Sequence, residues 1–402
     1  MSERWRKFTR GWVVLSIVFT VSILLFVAAN LLVYGAYRVA IATNVIETNP
    51  FLRKYGDAVR KSHPGKDMAE IRALLRETWS RGMVYDPVVQ YKEAPRTGKY
   101  VNVDPAGFRH SADQAPWPPP KDRPAIFVFG GSATFGYNIA DRETLTSHIQ
   151  RALAANSGGR PAIYNFARGR HGSTEEMLLF LRLIFEGARP DLAIFVDGIN
   201  DFYRQGGRGL EETGVLRQLY DNWDSNDLGD HLPRLVHALP LTKAVGWLMA
   251  TLGLRSPITG IDVTAPSPGQ KPNSESDEAG KAAKSLALYG RNRRMIEAVA
   301  AEFGVRPVFV WQPIPFYRYD LARHPFRDDV AHYDAPGLAE GFRTMERRWK
   351  AGELGDNFVW CAHIQQGATE QLYVDTVHYS AAMNRLLAAC IAKGLPKDAL
   401  ER

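Results

Sequence analysis

This sequence lacks several features that would point to particular functions. Its 402 residues carry a net charge of +7 but no Lys/Arg block of the length expected for a nucleic-acid-binding arm, so we expect no nucleic-acid partner. No internal repeat is evident. The histidines, including His324, His332 and His363, show no spacing typical of a metal site. We therefore expect neither a metal nor another cofactor.

Cysteine is scarce, since the chain has two, Cys361 and Cys390. In an oxidising compartment they could pair. However, Cys390 falls in step with Met383, Leu387 and Ile391 on the apolar face of a predicted C-terminal helix. A buried core thiol explains it adequately. The sequence favours two core thiols and leaves the disulfide as the alternative.

Charge is absent from a long apolar stretch between Gly11 and Tyr37. At about 1.5 Å per residue of helix, this stretch can cross a hydrocarbon core of roughly 30 Å. Only Arg38 follows it closely, whereas four basic residues precede it: Arg4, Arg6, Lys7 and Arg10. The positive-inside rule then predicts a cytoplasmic N-terminus, with the remainder of the chain outside.

A cleaved signal peptide is the alternative to this anchor, because Val27-Ala28-Ala29 could be a cleavage site. The apolar run continues past that point through Leu31, Leu32 and Val33. We therefore favour an uncleaved anchor.

Short apolar runs alternate with amphipathic segments from residue 125 onwards. The runs are continuous, as expected for strands covered on both faces: Ala125–Phe129, Ala162–Ala167, Leu192–Val196, Pro307–Trp311 and Asn357–Cys361. Helices are predicted between and after them: Glu143–Asn156, Ser173–Gly187, Lys281–Phe303, Gly337–Lys350 and Ser380–Lys393. The alternation predicts a doubly wound, flavodoxin-like α/β domain of three layers, with about five parallel strands.

The domain boundaries follow from these patterns. Residues 1–40 form the cytoplasmic N-terminus and anchor, and residues 41–120 form a juxtamembrane helix near Lys66–Arg81 followed by an extended segment. Residues 121–402 form the α/β domain. An insertion at about 205–280 interrupts it, and we expect a substrate lid, a membrane-facing cap or a peripheral flap.

A glycine-rich turn follows the first strand: Gly130-Gly131-Ser132-Ala133-Thr134-Phe135-Gly136. Open parallel sheets place their sites at the carboxyl ends of strands, so Ser132 is a candidate nucleophile. A P-loop is a poor match because its Lys-Ser/Thr pair is missing. The elbow of α/β-hydrolases is also a poor match, since Thr134 stands where that motif needs glycine. A plain turn is the remaining alternative.

A nucleophilic serine needs a base, a group that orients the base, and donors for an oxyanion. Asp375 and His378 are three residues apart before the last helix, so Asp375 can hold the His378 ring. Asn200 follows the third strand and could donate from its amide. Taken alone, His378 could be a surface histidine and Asn200 a helix cap.

Four blocks in this order resemble the SGNH hydrolase superfamily, also called the GDSL family, over roughly residues 120 to 395. They are Gly130-Gly131-Ser132-Ala133-Thr134, the segment Asn165 to Gly172, Gly198-x-Asn200-Asp201 and Asp375-x-x-His378. The resemblance implies that Ser132 is the nucleophile, His378 the general base and Asp375 its orienting partner. It also implies an oxyanion hole of the Ser132 N–H, Asn200 and a second-block glycine.

Two departures from the family pattern affect these assignments. Gly131 replaces the Asp of Gly-Asp-Ser, a change also seen in membrane-anchored bacterial members. In the less regular second block we select Gly169 as the donor, with Gly172 as the alternative. Arg168, Arg170 and His171 lie beside the proposed hole and could bind an anionic or sugar substrate, although solvated charge is the simpler interpretation. Trp311-Gln312-Pro313, at the end of the fourth strand, is expected to wall the crevice.

The resemblance and the predicted anchor imply a single-pass protein of the bacterial inner membrane with a periplasmic serine hydrolase domain. The expected function is an esterase, or an O-acyl (acetyl) hydrolase or transferase, acting on a small ester or an acylated glycan or lipid of the envelope. A second hypothesis is a non-catalytic accessory or scaffold subunit that binds a membrane-protein partner.

Overall fold

The computed structural model describes residues 3–43, 49–80, 82–157, 160–203, 239–251, 278–330 and 337–396. Most of the predicted insertion, residues 205–280, therefore lies outside the described residues. By its contacts the chain divides into two compact units, Met1–Pro50 with Leu216–Pro272, and Phe51–Val215 with Asn273–Arg402.

The helices of the described part of the chain range in length from 4 to 40 residues. In chain order they are α1 (Glu3–Ala42), α2 (Pro50–Tyr55), α3 (Asp57–Ser62), α4 (Met68–Trp79), α5 (Ser132–Phe135), α6 (Leu145–Ser157), α7 (Ser173–Phe185), α8 (Ile199–Tyr203), α9 (Pro240–Thr251), α10 (Glu278–Glu302), α11 (Arg327–Val330), α12 (Leu338–Lys350) and α13 (Ala381–Gly394). Short 3₁₀ turns lie at Asp141–Glu143 and Leu321–Arg323.

The strands form two separate sheets. They are β1 (Met83–Asp86), β2 (Gln90–Glu93), β3 (Ala125–Gly130), β4 (Ala162–Asn165), β5 (Leu192–Asp197), β6 (Arg306–Trp311) and β7 (Phe358–Trp360). The first two pair as an antiparallel hairpin, and the others form a parallel sheet in the order β4-β3-β5-β6-β7. The chain moves outward from β3 in both directions, so the switch point of the sheet lies beside the end of β3.

The parallel sheet has an apolar core on each face. On β3, Phe127 and Phe129 face a core shared with α7, α10 and α12, whereas Ile126 and Val128 face a core shared with α6 and α13. Every residue of β3 is buried, which explains why the strand shows no polar alternation. The predicted three-layer α/β fold is confirmed.

The first unit contains α1 and α9, which contact each other. Residues Phe8–Ala40 of α1 are long and apolar enough to cross a membrane, although a signal sequence would meet the same criterion. Asn30 is a buried side chain on a helix whose described side chains are mostly exposed, and it accepts a hydrogen bond from the Leu241 N–H of α9 at 3.1 Å.

The amphipathic helix predicted before the sheet is α4. Asp67 caps its N-terminus by accepting the Glu70 N–H at 2.8 Å. Its buried face packs against Leu52 and Phe326 on one side and Val101 on the other. The apolar face of α4 is therefore covered by other residues of the second unit, to which α4 itself belongs.

The two cysteines form a disulfide, so the favoured interpretation of two core thiols was wrong. Cys361 directly follows β7, and α13 packs against that part of the sheet, which brings the Cys361 and Cys390 Cα atoms to 6.1 Å. Helical spacing correctly placed Cys390 on a face directed at the core, but it could not show that Cys361 lay opposite.

Candidate active site

Ser132 is the first residue of α5, directly after the carboxyl end of β3. Its hydroxyl oxygen lies 2.8 Å from Nε2 of His378, which precedes α13. Parallel strands bring these two positions, 246 residues apart in sequence, to one edge of the sheet. The imidazole is therefore placed to accept the Ser132 proton.

Asp375 holds the other side of the His378 ring. Its Oδ2 lies 2.5 Å from His378 Nδ1, and its Oδ1 accepts the N–H groups of Val377 at 2.9 Å and His378 at 2.8 Å. Burial alone would raise the pKa of Asp375, but the charge of His378 and these hydrogen bonds lower it below its usual value. Asp375 is thus an anion that fixes the ring's tautomer and orientation.

Two residues that the sequence did not single out also contact the triad. The Tyr137 ring stacks on the His378 ring with centroids 5.2 Å apart, and the Asn138 amide donates to Asp375 Oδ2 at 2.6 Å. Both directly follow the glycine turn that carries Ser132. Their proximity to that turn was the available signal, but no spacing rule connects them to a residue more than two hundred positions away.

Asn200, in the first turn of α8, lies beside the serine turn. Its Nδ2 donates to the His171 carbonyl at 2.6 Å and lies so close to Gly131 that a Cβ there would overlap it. An amide nitrogen carries two hydrogens, so the second remains for an oxyanion. A side chain at position 131 would therefore have to displace the Asn200 amide.

Neither glycine considered for the oxyanion hole has an unengaged N–H in this structure. The Gly169 N–H donates to Glu93 Oε1 at 3.0 Å, and the Gly172 N–H donates to Glu175 Oε2 at 3.1 Å. The role of Gly169 stays a prediction, and its bond to Glu93 argues against it. The Asn200 amide lies beside the serine turn, and its role and that of the Ser132 N–H as oxyanion donors stay predictions.

Arg168 is not a solvated charge, as the sequence had suggested. It is buried with an exposed fraction of 1%, and its guanidinium bonds Asp86 of β1 at 3.2 Å. His171 is also buried and contacts the Tyr91 ring, whereas Arg170 is exposed. Trp311 was expected to wall the crevice, but it is fully buried in the core against Tyr289 and Phe342.

A buried carboxyl group fastens the helix that carries Asn200. Asp201 accepts the Ser173 hydroxyl at 2.6 Å and the Gly198 N–H at 3.3 Å, so it ties α8 to the start of α7. Burial raises the pKa of Asp201 and of the neighbouring Glu176 and Asp197.

Among the described residues, no three His, Cys, Asp or Glu side chains are grouped so as to hold a metal ion.

No protein-family model and no curated protein matches this sequence. Solved structures to which the chain is similar include a lipolytic G-D-S-L family member from Veillonella parvula DSM 2008. That match has 12% identity, covers 67% of this chain and 96% of the other, and has a TM-score of 0.33. A carbohydrate acetylesterase family member from Sinorhizobium meliloti matches at 12% identity, with coverage of 67% and 96% and a TM-score of 0.35.

The acetylxylan esterase Axe2 from Geobacillus stearothermophilus, as a catalytic mutant, matches at 12% identity. That match covers 69% of this chain and 97% of the other, with a TM-score of 0.33. At TM-scores below 0.5 these similarities are too weak to decide a function.

Proposed function

We propose that this protein is a serine ester hydrolase of the SGNH type. The observation that carries the proposal is the hydrogen-bonded chain from Ser132 through His378 to Asp375, at 2.8 and 2.5 Å. These two hydrogen bonds connect a nucleophile, a base and an anion in the order that acyl transfer requires, and the motif resemblance supports the same roles.

The reaction follows from this geometry. Ser132 Oγ attacks the ester carbonyl carbon while its proton moves to His378 Nε2, and Asp375 stabilises the resulting imidazolium. The Ser132 N–H and the Asn200 amide bind the oxyanion. The imidazolium then gives its proton to the departing alcohol, which leaves an acyl-enzyme on Ser132. A water molecule activated by His378 releases the acid and restores the serine.

The first test compares the full chain in detergent with its Ser132→Ala variant on a small aryl acetate. We expect the variant to lose at least roughly 10³-fold in kcat, because the nucleophile is gone. A fluorophosphonate reagent should label the wild type on Ser132 and leave the variant unlabelled. Ser16→Ala, which changes an exposed serine of α1 in the unit that does not carry the triad, serves as the matched control and should retain activity.

Equal background rates in wild type and Ser132→Ala, with no labelling, would contradict the hydrolase proposal. Co-purification with membrane proteins would then favour the accessory-subunit hypothesis. Activity that rises when a sugar alcohol is added, with the acyl group found on that sugar, would indicate a transferase.

We further propose that α1 anchors the hydrolase in the inner membrane as a single pass, with residues 121–402 in the periplasm. The charge asymmetry around the apolar stretch supports this orientation, and it makes an acylated envelope glycan or a lipid ester the natural substrate class. The division into an anchor at 1–40, a segment at 41–120 and a hydrolase domain with an insertion belongs to the same proposal.

A further inference from the structure

The side chain of Asn138 lies between the triad and the helix α4. Its Nδ2 donates to Asp375 Oδ2 at 2.6 Å, and its Oδ1 accepts the indole Nε1–H of Trp79 at 2.7 Å. Asn138 is fully buried and has a φ of 64°, a left-handed conformation that Asn tolerates better than most side chains.

The orientation of this amide follows from its two partners. The indole nitrogen of Trp79 can only donate, so the atom that faces it must be the Asn138 oxygen. The amide nitrogen must then face Asp375. Trp79 thus selects the one amide orientation in which Asn138 offers a donor to the triad.

Asn138 links Asp375 to a different part of the chain. The other donors to this carboxylate come from its own turn, namely the N–H groups of Val377 and His378 and the His378 ring. These bonds lie within the turn itself, and the turn is tied to the serine turn through the His378 ring, which contacts Ser132 and Tyr137, and through a direct bond to the Asp375 carboxylate. That direct bond comes from Asn138, which follows Ser132 by six residues.

We propose that Asn138 is a positioning residue for the triad and that Trp79 and His63 hold it in place. This inference rests on the proposed hydrolase function. Asn138 does not touch the reacting atoms; it sets the position of Asp375 and disperses its charge, and so it sets how firmly His378 is held.

The segment from α3 to α4, including His63 directly after α3, therefore helps to position the triad. His63 Nε2 lies 2.8 Å from the Asn138 carbonyl oxygen, and Nδ1 lies 2.8 Å from the Val59 carbonyl oxygen. The Trp79 ring also packs edge-on against Tyr137, with centroids 5.3 Å apart, and Tyr137 stacks on His378. Asp375 and His378 are thus both supported by residues of the segment between the anchor and the sheet.

Removing the Asn138 donor should change the chemistry of the triad in a defined direction. Without it, the negative charge of Asp375 is less dispersed and stabilises the His378 imidazolium more strongly. The base then stays protonated to higher pH, so the acid limb of kcat/KM should move upward. His324 should not contribute to this limb, because burial lowers its pKa to about 4.

The experiment compares Asn138→Ala, Asn138→Asp and Trp79→Phe in the full chain, with rates expressed per Ser132 titrated by fluorophosphonate. Asn138→Ala should lower kcat roughly 10- to 100-fold with KM nearly unchanged, since a misplaced triad loses rate rather than binding. Asn138→Asp places a second carboxyl group against Asp375, and two carboxylates at this distance share one proton, so the variant keeps a donor and should lose less kcat than Asn138→Ala. Trp79→Phe keeps an aromatic ring but removes the indole N–H, and it should lower kcat less than Asn138→Ala does.

Tyr164→Phe is the matched control, because it deletes a buried hydroxyl that bonds the Pro116 carbonyl away from the triad. It should lower the melting temperature and leave the pH profile and kcat per titrated serine unchanged. The proposal is overturned if Asn138→Ala behaves like this control. Failure of the hydrolase proposal looks different, since the wild type itself would then neither hydrolyse the aryl acetate nor be labelled.

Discussion

At the scale of single residues, Gly131 shows how closely the serine turn fits its neighbours. A Cβ added there would overlap the Asn200 amide nitrogen and approach the His171 carbonyl oxygen to 3.2 Å. The backbone of Gly131, with φ −84°, is open to any residue, so a side chain would disturb the proposed donor rather than the turn.

Gly131→Ala is therefore expected to lower kcat by roughly 10² to 10³, the cost of losing one oxyanion donor, with little change in melting temperature. The measurement is aryl acetate hydrolysis per titrated serine. Gly290→Ala, where the added carbon would lie 3.7 Å from the Arg294 guanidinium in α10, should keep full activity. If the kcat of Gly131→Ala stays within a fewfold of the wild-type value, Asn200 is not an oxyanion donor.

Sequence patterns could find the site residues whose chemistry lies within a short block. Ser132, Asp375 and His378 each stand in a recognisable local spacing, and the structure brings all three together. Asn138 and Glu93 were not predicted, because their partners are distant in sequence and each partner is chosen by the packing of whole helices and strands. For the same reason Arg168 was taken as exposed, although Asp86 of the hairpin pairs with it.

At the scale of elements, periodicity predicted the five strands of the sheet and the helices beside them, because burial of one or both faces determines the pattern. It could not predict which elements face each other, and the disulfide depends on that. Cys361 and Cys390 join the end of β7 to α13, and the triad histidine lies just before α13.

Replacing both cysteines by serine should destabilise the protein by about 3 to 4 kcal/mol, since the bond closes a loop with a sequence separation of 29. Thermal melts of the double variant and of wild type, each with and without reductant, measure this effect. Reductant should lower the melting temperature of wild type to near that of the variant and leave the variant unchanged. If the double variant melts at the wild-type temperature, packing alone holds α13 to the sheet.

At the scale of the whole molecule, the anchor proposal predicts which side of the membrane each part of the chain faces. The chain's two cysteines are bonded to each other, so a single introduced cysteine gives a specific label. Phe185 is 92% exposed in the unit that carries the triad, and Phe185→Cys should react with an impermeant maleimide in intact spheroplasts. Ser2→Cys should react only after lysis, because the basic residues that follow it retain the N-terminus in the cytoplasm.

Each deviation from this labelling pattern has a distinct physical meaning. Labelling of Ser2→Cys without lysis, with Phe185→Cys protected, would reverse the topology and place the hydrolase in the cytoplasm, away from envelope esters. Loss of the Ser2→Cys label together with a smaller intact mass would show cleavage near Val27-Ala28-Ala29, and a released periplasmic enzyme. The labelling pattern and the mass together decide whether the substrate has to reach the membrane or the enzyme can diffuse to it.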